Sequence, residues 1–182
     1  MATGDRGLSE FTVKEATNLI SQRKVIRVTP VVVAGTTDND DVMFASTEIP
    51  NAVLSPGGSS KLIGITIIDY DVEAHDMDLV FMQVSTDLGT INNPVTVSDT
   101  NLRLANVLGG LIIDWSDGAI TMGSVSSIYT GTRSTGNALN THLPMILQAE
   151  AGSTSVYFAG IAREAMDYFA IDNLDFIFHI EY

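Results

Sequence analysis

The chain has 182 residues, of which 45 % are apolar and only 17 % are charged, and its formal net charge is −13. This length fits a single domain, or one domain with a terminal arm, and is sufficient to bury a hydrophobic core. The negative charge argues against binding to nucleic acid or to an anionic membrane. The absence of cysteine excludes disulfides, thiolate nucleophiles and cysteine metal sites.

The low content of charged residues has two interpretations. Soluble domains usually contain about 25 % charged residues. Either partners cover part of the surface, or a large core rich in Val and Ile accounts for the composition. The longest apolar runs, such as residues 31–34, fall far short of the roughly 20 residues that span a bilayer. We therefore expect a soluble protein.

The first 24 residues are predicted to form an N-terminal arm. Residues 1–27 hold five of the nine bases and only three acids, whereas residues 28–182 hold four bases and 19 acids. A charge block at a terminus is more typical of an interaction arm or a solvated tail than of a core. The arm is too poor in apolar residues to fold alone, so we expect it to order, extended or briefly helical, against a neighbouring surface. The candidate contact residues are Phe11, Val13, Leu19, Ile20, Arg23 and Lys24.

Residues 25–182 are predicted to form an antiparallel β-sandwich of jelly-roll type. The clearest pattern is the alternation at the C-terminus, which indicates a half-buried strand with Phe176 and Phe178 facing the core. Pro30 places the first strand at an edge or at a bulge. Runs of β-branched and aromatic residues, bounded by turn residues, predict strands at 25–33, 42–49, 62–70, 79–84, 111–115, 142–148, 156–162 and 174–182.

One short helix is predicted within the body, over residues 98–108, with Ser98 as its N-cap. The expected apolar stripe of this helix is Leu104, Val107 and Leu108. Its expected C-terminal stop is the pair Gly109-Gly110. Residues 123–141 are rich in Ser, Thr, Gly and Asn. They predict a long exposed loop and a place for a contact surface.

Two acid-rich segments are the nearest approach to a metal site. Residues 69–78 contain five acids and His75, and residues 38–41 read Asp-Asn-Asp-Asp. Carboxylate oxygens suit Ca²⁺ or Mg²⁺, but the spacing in the longer segment does not match the D-x-[DN]-x-[DN]-G loop and lacks its glycine. Solvated linker and turn acids explain both segments better. We expect no metal and no other cofactor.

The sequence shows no catalytic motif. A G-x-S-x-G elbow, HExxH, a P-loop and GxGxxG are all missing. A Ser-His-Asp triad is assembled in space and leaves no fixed spacing, so the sequence alone does not exclude one. His75, His142 and His179 fall in three different predicted elements, and His179 is expected on the polar face of the last strand. Trp115 is interpreted as closing a core strand rather than as stacking on a sugar. We expect no enzymatic activity.

The order of motifs along residues 26–182 resembles that of a group of tailed-bacteriophage virion proteins. Those proteins begin with a V-x-V-T-P strand, which corresponds here to Ile26-Arg27-Val28-Thr29-Pro30. An aspartate–valine turn, an "s-x-x-i-x-n-a" step, an "l-x-g-i-t-i-i-D" strand, a "D-L-x-F" strand, a helical step and a final "a-x-d-L-x-f-x-f" strand follow. The corresponding segments are residues 41–42, 46–52, 62–69, 78–81, 98–109 and 170–178. The acidic loops and the polar segment 123–141 depart from the pattern.

This resemblance implies a non-enzymatic virion component, such as a capsid decoration or cement protein. The expected partners are the major capsid protein and further copies of the chain, with a trimer as a plausible homo-oligomer. The expected location is the capsid of the virion, assembled in the host cytoplasm. A cement protein needs a rigid β body, an arm and an under-charged surface, and the sequence predicts all three. The alternatives are a tail or fibre component, and a carbohydrate-binding jelly roll that depends on Trp115.

Overall fold

The computed structural model describes residues 22–117, 119–131 and 143–182. Phe11, Val13, Leu19 and Ile20 of the predicted arm, and His142, lie outside the described residues. The described strands, in chain order, are β1 (Arg23–Val28), β2 (Gly35–Thr37), β3 (Val42–Ile49), β4 (Ser59–Asp69), β5 (Met77–Met82), β6 (Val107–Ile113), β7 (Ile120–Met122), β8 (Ser126–Gly131), β9 (Met145–Gln148), β10 (Val156–Ala162), β11 (Met166–Tyr168) and β12 (Leu174–Glu181). Helix α1 (Asp99–Leu104) precedes β6, and a 3₁₀ turn (Trp115–Asp117) follows it.

Two antiparallel sheets make up the sandwich. One has the order β1-β12-β4-β8-β7, with β9 also paired to β4, and the other has the order β3-β10-β5-β6. Eight of these strands are numbered here from one to eight in chain order. The eight strands are β1, β3, β4, β5, β6, β9, β10 and β12. The sheet orders then read 1-8-3-6 and 2-7-4-5. These are the sheet orders of a jelly roll. The prediction of an antiparallel jelly-roll sandwich is therefore confirmed.

Five phenylalanine rings occupy the centre of the core between the sheets. Phe176 and Phe178 of β12 are fully buried, as the alternation predicted. The ring of Phe158 on β10 lies 5.1 Å from that of Phe176 and 5.0 Å from that of Phe178, in edge-to-face contact. Phe44 and Phe81 complete the cluster from β3 and β5. Because these rings come from both sheets, they hold the sandwich together.

The first strand lies further towards the N-terminus than predicted. Arg23 and Lys24, assigned to the arm from the sequence, pair with Glu181 and Ile180 of β12 and thus belong to the sandwich. The strand ends at Val28 rather than at residue 33. Proline has no backbone N–H for the ladder, and the chain after Pro30 changes partners: the N–H of Val32 donates to Ile171, and that of Val33 donates to Met43.

Helix α1 begins as predicted but ends early. The hydroxyl oxygen of Ser98 accepts a hydrogen bond from the N–H of Asn101 at 3.2 Å, which confirms the N-cap. The backbone of Asn106 is left-handed, with φ at 48°, and residues 107–110 then enter strand β6. The predicted helical stripe and glycine stop are therefore wrong. No helix in the described part of the chain is long and apolar enough to cross a membrane.

The predicted loop 123–141 contains a strand. Residues 126–131 form β8, which pairs with the C-terminal half of β4, while β9 pairs with its N-terminal half. The Ser- and Thr-rich composition concealed this strand, although Tyr129 is buried within it. Residues 132–141 lie outside the described part.

Candidate interaction surfaces

Most acids of the described sandwich lie at one end, which we call the acidic end. It is the end where β1 and β4 finish and β12 begins. Among the described residues the bases at this end are Arg27 and Arg163, so the local charge is strongly negative. The acids are Asp38, Asp40, Asp41, Asp69, Asp71, Glu73, Asp76, Asp78, Asp114, Glu164, Asp167, Asp172 and Asp175.

Several of these acids brace loops, which corrects their interpretation as solvated linker acids. Asp69 is fully buried, and its carboxylate accepts hydrogen bonds from the N–H groups of Asp71 at 2.8 Å and Ala74 at 2.7 Å. Burial raises the pKa of Asp69, and the backbone hydrogen bonds oppose this rise. The carboxylate of Asp71 accepts from the N–H of Phe169 at 2.7 Å and from the Asn173 amide at 3.0 Å.

The rest of the acidic segment is also engaged within the fold. His75 lies 2.9 Å from the carboxylate of Glu73 and 3.2 Å from that of Glu164. The carboxylate of Asp76 accepts a hydrogen bond from the N–H of Trp115 at 2.9 Å. Within the described residues no three His, Asp or Glu side chains are arranged to hold a metal ion. The chemistry of this segment is loop bracing.

Asp175 is the centre of a polar cluster on the outer side of the first sheet. The period-two alternation of β12 places position 175 on the outer side of the sheet, yet Asp175 is only 4 % exposed. Its carboxylate accepts hydrogen bonds from Arg27 Nε and Tyr70 Oη, both at 2.9 Å, and from Arg27 Nη2 and Thr29 Oγ1. Burial raises the pKa of Asp175, but these hydrogen bonds outweigh it and hold the pKa below its ordinary value. The cluster connects β12 to the ends of β1 and β4.

Asp175→Asn is expected to lower the free energy of unfolding by about 1–3 kcal/mol at pH 7, because hydrogen bonds to a charged group are lost. The folded pKa lies below the unfolded one, so this stabilisation is present above about pH 4 and is lost as the pH falls through the folded pKa. Urea unfolding at pH 7 and pH 3 measures the difference. Asp172→Asn, at an exposed acid of the same end, is the control, and equal losses for both variants at pH 7 would contradict the assignment.

The acidic end also exposes apolar side chains that the sequence analysis did not single out. Val31, Tyr70, Phe169 and Ile171 are 61 %, 44 %, 82 % and 53 % exposed, and we call this group the acidic-end patch. Their segments are joined by backbone hydrogen bonds: the N–H of Val32 donates to Ile171, and that of Tyr70 donates to Asn173. A short run, Phe169-Ala170-Ile171, was the sequence signal for this patch.

The opposite end of the sandwich contains the two predicted arm residues that the structure describes. Arg23 and Lys24 line a cleft of about 490 Å³ together with Asn51, Val53, Leu54 and Tyr182, which we call the basic cleft. Arg23 pairs with Glu181 at 3.5 Å, and Lys61 pairs with the same carboxylate at 3.3 Å. Lys24 forms no ion pair within the described residues. The cleft therefore combines basic groups with an apolar wall.

Two further groups of exposed apolar side chains lie at sheet edges. Strands β6 and β7 are edge strands of the two sheets. Exposed apolar groups at such edges are typical of contact surfaces. The first group, on α1 and β6, is Leu102, Leu104 and Val107, and the second, on the hairpin of β7 and β8, is Ile120, Met122 and Val125.

The remaining singled-out residues form no common site. Trp115 is 4 % exposed and packs against Tyr129, with ring centroids 5.7 Å apart, which confirms its core interpretation. His179 is half-buried on the outer face of β12, 3.2 Å from Thr66 Oγ1. His75 lies at the acidic end, so the structure does not bring these two histidines together.

Comparisons with known proteins identify no family. No protein-family model matches the chain, and no curated protein matches it. Two solved structures of infectious bursal disease virus, from the Gt and the Gx strain, align with 88 % of this chain at 13 % identity and a TM-score of 0.16. The alignments cover 42 % and 41 % of the viral chains, so this chain spans about two fifths of their length. Similarity at this level supports no conclusion about function.

Proposed function

We propose that this protein is a structural component of a bacteriophage virion, a capsid decoration or cement protein that binds the outer shell and stabilises it through contacts between subunits. The observation that carries the proposal is the exposure of apolar side chains in separate groups on a sandwich with a well-packed aromatic core. Exposed apolar groups of this kind mark surfaces that partners cover. The phage assignment comes from the order of motifs along residues 26–182.

The positions of these groups suit a protein that joins several neighbours. The acidic-end patch, the group on α1 and β6, and the group on the β7–β8 hairpin belong to different elements of the sandwich. A subunit that contacts both a shell and other subunits needs more than one such surface. The major capsid protein and further copies of this chain are the proposed partners, and the capsid is the proposed location.

The segments that carry the resemblance lie in the framework of the sandwich. Residues 62–69 fall within β4, residues 78–81 within β5, and residues 170–178 lead into β12. These strands supply much of the core, so the resemblance concerns the framework rather than a reaction centre. The proposed role requires no catalysis and no cofactor.

Deleting residues 1–21 is expected to leave a folded sandwich but to weaken attachment to the particle. The cut precedes Gln22, whose carbonyl accepts a hydrogen bond from the N–H of Tyr182 at 3.0 Å, so strand β1 stays complete. The removed apolar residues, Phe11, Val13, Leu19 and Ile20, lose their proposed contact with a neighbour. Circular dichroism reports folding, and co-sedimentation with purified capsids that lack the protein reports attachment. Attachment of the full chain is also expected to weaken as salt rises.

The untruncated chain and an Asp87→Asn variant, which changes an exposed charge outside the arm and outside the named surfaces, are the controls. If truncation unfolds the sandwich, the arm is part of the fold. If the full-length chain does not co-sediment with capsids at any salt concentration, the decoration role is refuted.

A tail or fibre component of the virion is the second candidate. Antibody labelling of purified particles separates the two, because the label falls on the head for a decoration protein and on the tail otherwise. The carbohydrate-binding alternative loses its stacking residue, since Trp115 is buried.

A further inference from the structure

We propose that copies of this protein associate head to tail, with the acidic-end patch of one copy packed into the basic cleft of the next. The inference names the contact between copies within the proposed function, and it rests on that function for its biological role alone. Both surfaces consist of described residues, and each has the chemistry that the other lacks.

The acidic-end patch is apolar at its centre and acidic at its rim. Phe169 is 82 % exposed, yet its backbone is fixed, because its N–H donates to the carboxylate of Asp71 at 2.7 Å. Asp167 and Asp172 flank it and are exposed. A partner surface that matches this arrangement is apolar at its centre and basic at its rim.

The basic cleft has part of this complementary arrangement. Leu54, 54 % exposed, forms its apolar wall, Val53 is buried, and Gln22 and Asn51 line it beside the two bases. Lys24 supplies a positive charge that no acid among the described residues pairs with, whereas Arg23 is paired with Glu181 beside the cleft. A volume of about 490 Å³ accommodates an aromatic side chain, and a base beside the ring adds a cation–π contribution. Because Lys24 has no ion pair within the described residues, its charge is available to a partner.

The two surfaces lie at opposite ends of the molecule. Strand β12 begins at the acidic end with Leu174 and ends beside the cleft at Glu181, a span of roughly 23 Å at the usual rise of a strand. One copy therefore cannot satisfy its own cleft with its own patch. A contact of this kind is heterologous, so repeated copies form a ring or a filament.

Residues 1–21 are the competing occupant of the cleft, because the chain continues from Gln22 at its rim. They hold two bases and three acids, a nearly balanced charge. The acidic end is strongly negative, so charge complementarity favours a second copy.

Sedimentation velocity of the full-length chain over a range of concentrations tests the proposal. Lys24→Glu alters the cleft, and Asp172→Lys alters the patch. For each variant alone, the dissociation constant for self-association is expected to rise about tenfold or more. In an equimolar mixture, the intact patch of the first variant meets the intact cleft of the second, and the lysine of the altered patch faces the glutamate of the altered cleft. Both contacts then pair opposite charges, so the mixture is expected to associate more strongly than either variant alone.

Phe169→Ala is expected to weaken self-association about tenfold or more, as for a central aromatic contact. Asp87→Lys, at an exposed acid outside both surfaces, is the matched control and is expected to leave association unchanged. Melting curves verify that each variant is folded.

A monomeric wild type, unchanged association in the Lys24→Glu and Asp172→Lys variants, or a mixture that associates no more strongly than either variant alone would overturn the proposal. Stronger self-association after deletion of residues 1–21 would identify those residues as the occupant and would also overturn it. Head-to-tail association without capsid binding would refute the decoration role alone, whereas capsid binding by a strictly monomeric protein would refute this contact alone.

Discussion

Phe176→Ala is expected to lower the free energy of unfolding by about 3–5 kcal/mol, the usual range for removing a buried aromatic ring. The ring is fully buried and lies 5.1 Å from that of Phe158 and 5.5 Å from that of Phe44. Both neighbours belong to the opposite sheet, so the cavity would open between the two sheets. For a chain of this size the melting temperature is expected to fall by roughly 6–20 °C.

Ile177→Ala is the matched control, because Ile177 follows directly on the same strand and is half-buried on the outer face. The loss of unfolding free energy for Ile177→Ala is expected to be less than half of that for Phe176→Ala. Urea unfolding of both variants gives the comparison. An equal or larger loss for Ile177→Ala would show that the two faces of β12 are assigned wrongly.

The alternation of apolar and polar residues that identified β12 in the sequence is also the reason that the fold class was predictable. A half-buried strand repeats every two residues, and β12 follows that period from Leu174 to Glu181 in all but Asp175. Turn residues marked most of the other strand boundaries. Strand order was not readable from local pattern, since pairings such as that between β1 and β12 join segments about 150 residues apart.

The error at helix α1 has a local physical cause. Apolar residues at 104, 107 and 108 fit helical spacing, but 107 and 108 also begin a run that pairs with β5. The glycine pair that resembled a helix stop lies within that strand. An added Cβ at Gly109 would come within 2.5 Å of Met145 Sδ, and one at Gly110 within 3.2 Å of the carbonyl oxygen of Leu79. Close packing, rather than helix termination, accounts for these glycines.

The surfaces were less predictable than the fold. Asp175 and Arg27 are separated by 148 positions, so no local pattern could show that one neutralises the other. The same holds for Asp71, which braces Phe169 from a distant loop. The sequence showed an acidic body and a basic N-terminal segment, but the segregation of acids to one end emerges only when four loops meet there.

This segregation connects the composition with the proposed role. The charges of the chain are few, and most acids of the described sandwich are concentrated at one end. The exposed apolar group on α1 and β6 lies away from this end, whereas the group on the β7–β8 hairpin adjoins it, because Ser127 of β8 pairs with Asp69. Electrostatic complementarity orients the approach of a partner, whereas apolar contact supplies most of the affinity. We infer that the acidic end selects the partner and that the apolar edges strengthen the contact.

Gly160→Ala is expected to lower the free energy of unfolding by about 1–3 kcal/mol, the typical effect of overpacking a core. Gly160 lies in the middle of β10, where the register with β3 shifts. A Cβ at this position would come within 2.2 Å of a ring atom of Phe44. That ring cannot move aside freely, because it packs against Phe158 at 5.3 Å and Phe176 at 5.5 Å. The methyl group would therefore displace the aromatic cluster.

Gly64→Ala on β4 is the control, since its added Cβ would meet its nearest neighbour at an ordinary 3.5 Å. It is expected to be neutral or slightly stabilising, because alanine reduces the entropy of the unfolded chain. A double-mutant cycle with Phe44→Leu isolates the cause. With the smaller side chain at position 44, Gly160→Ala is expected to destabilise less than in the wild-type background. If its effect is the same in both backgrounds, the clash with Phe44 is not the reason that glycine occupies position 160.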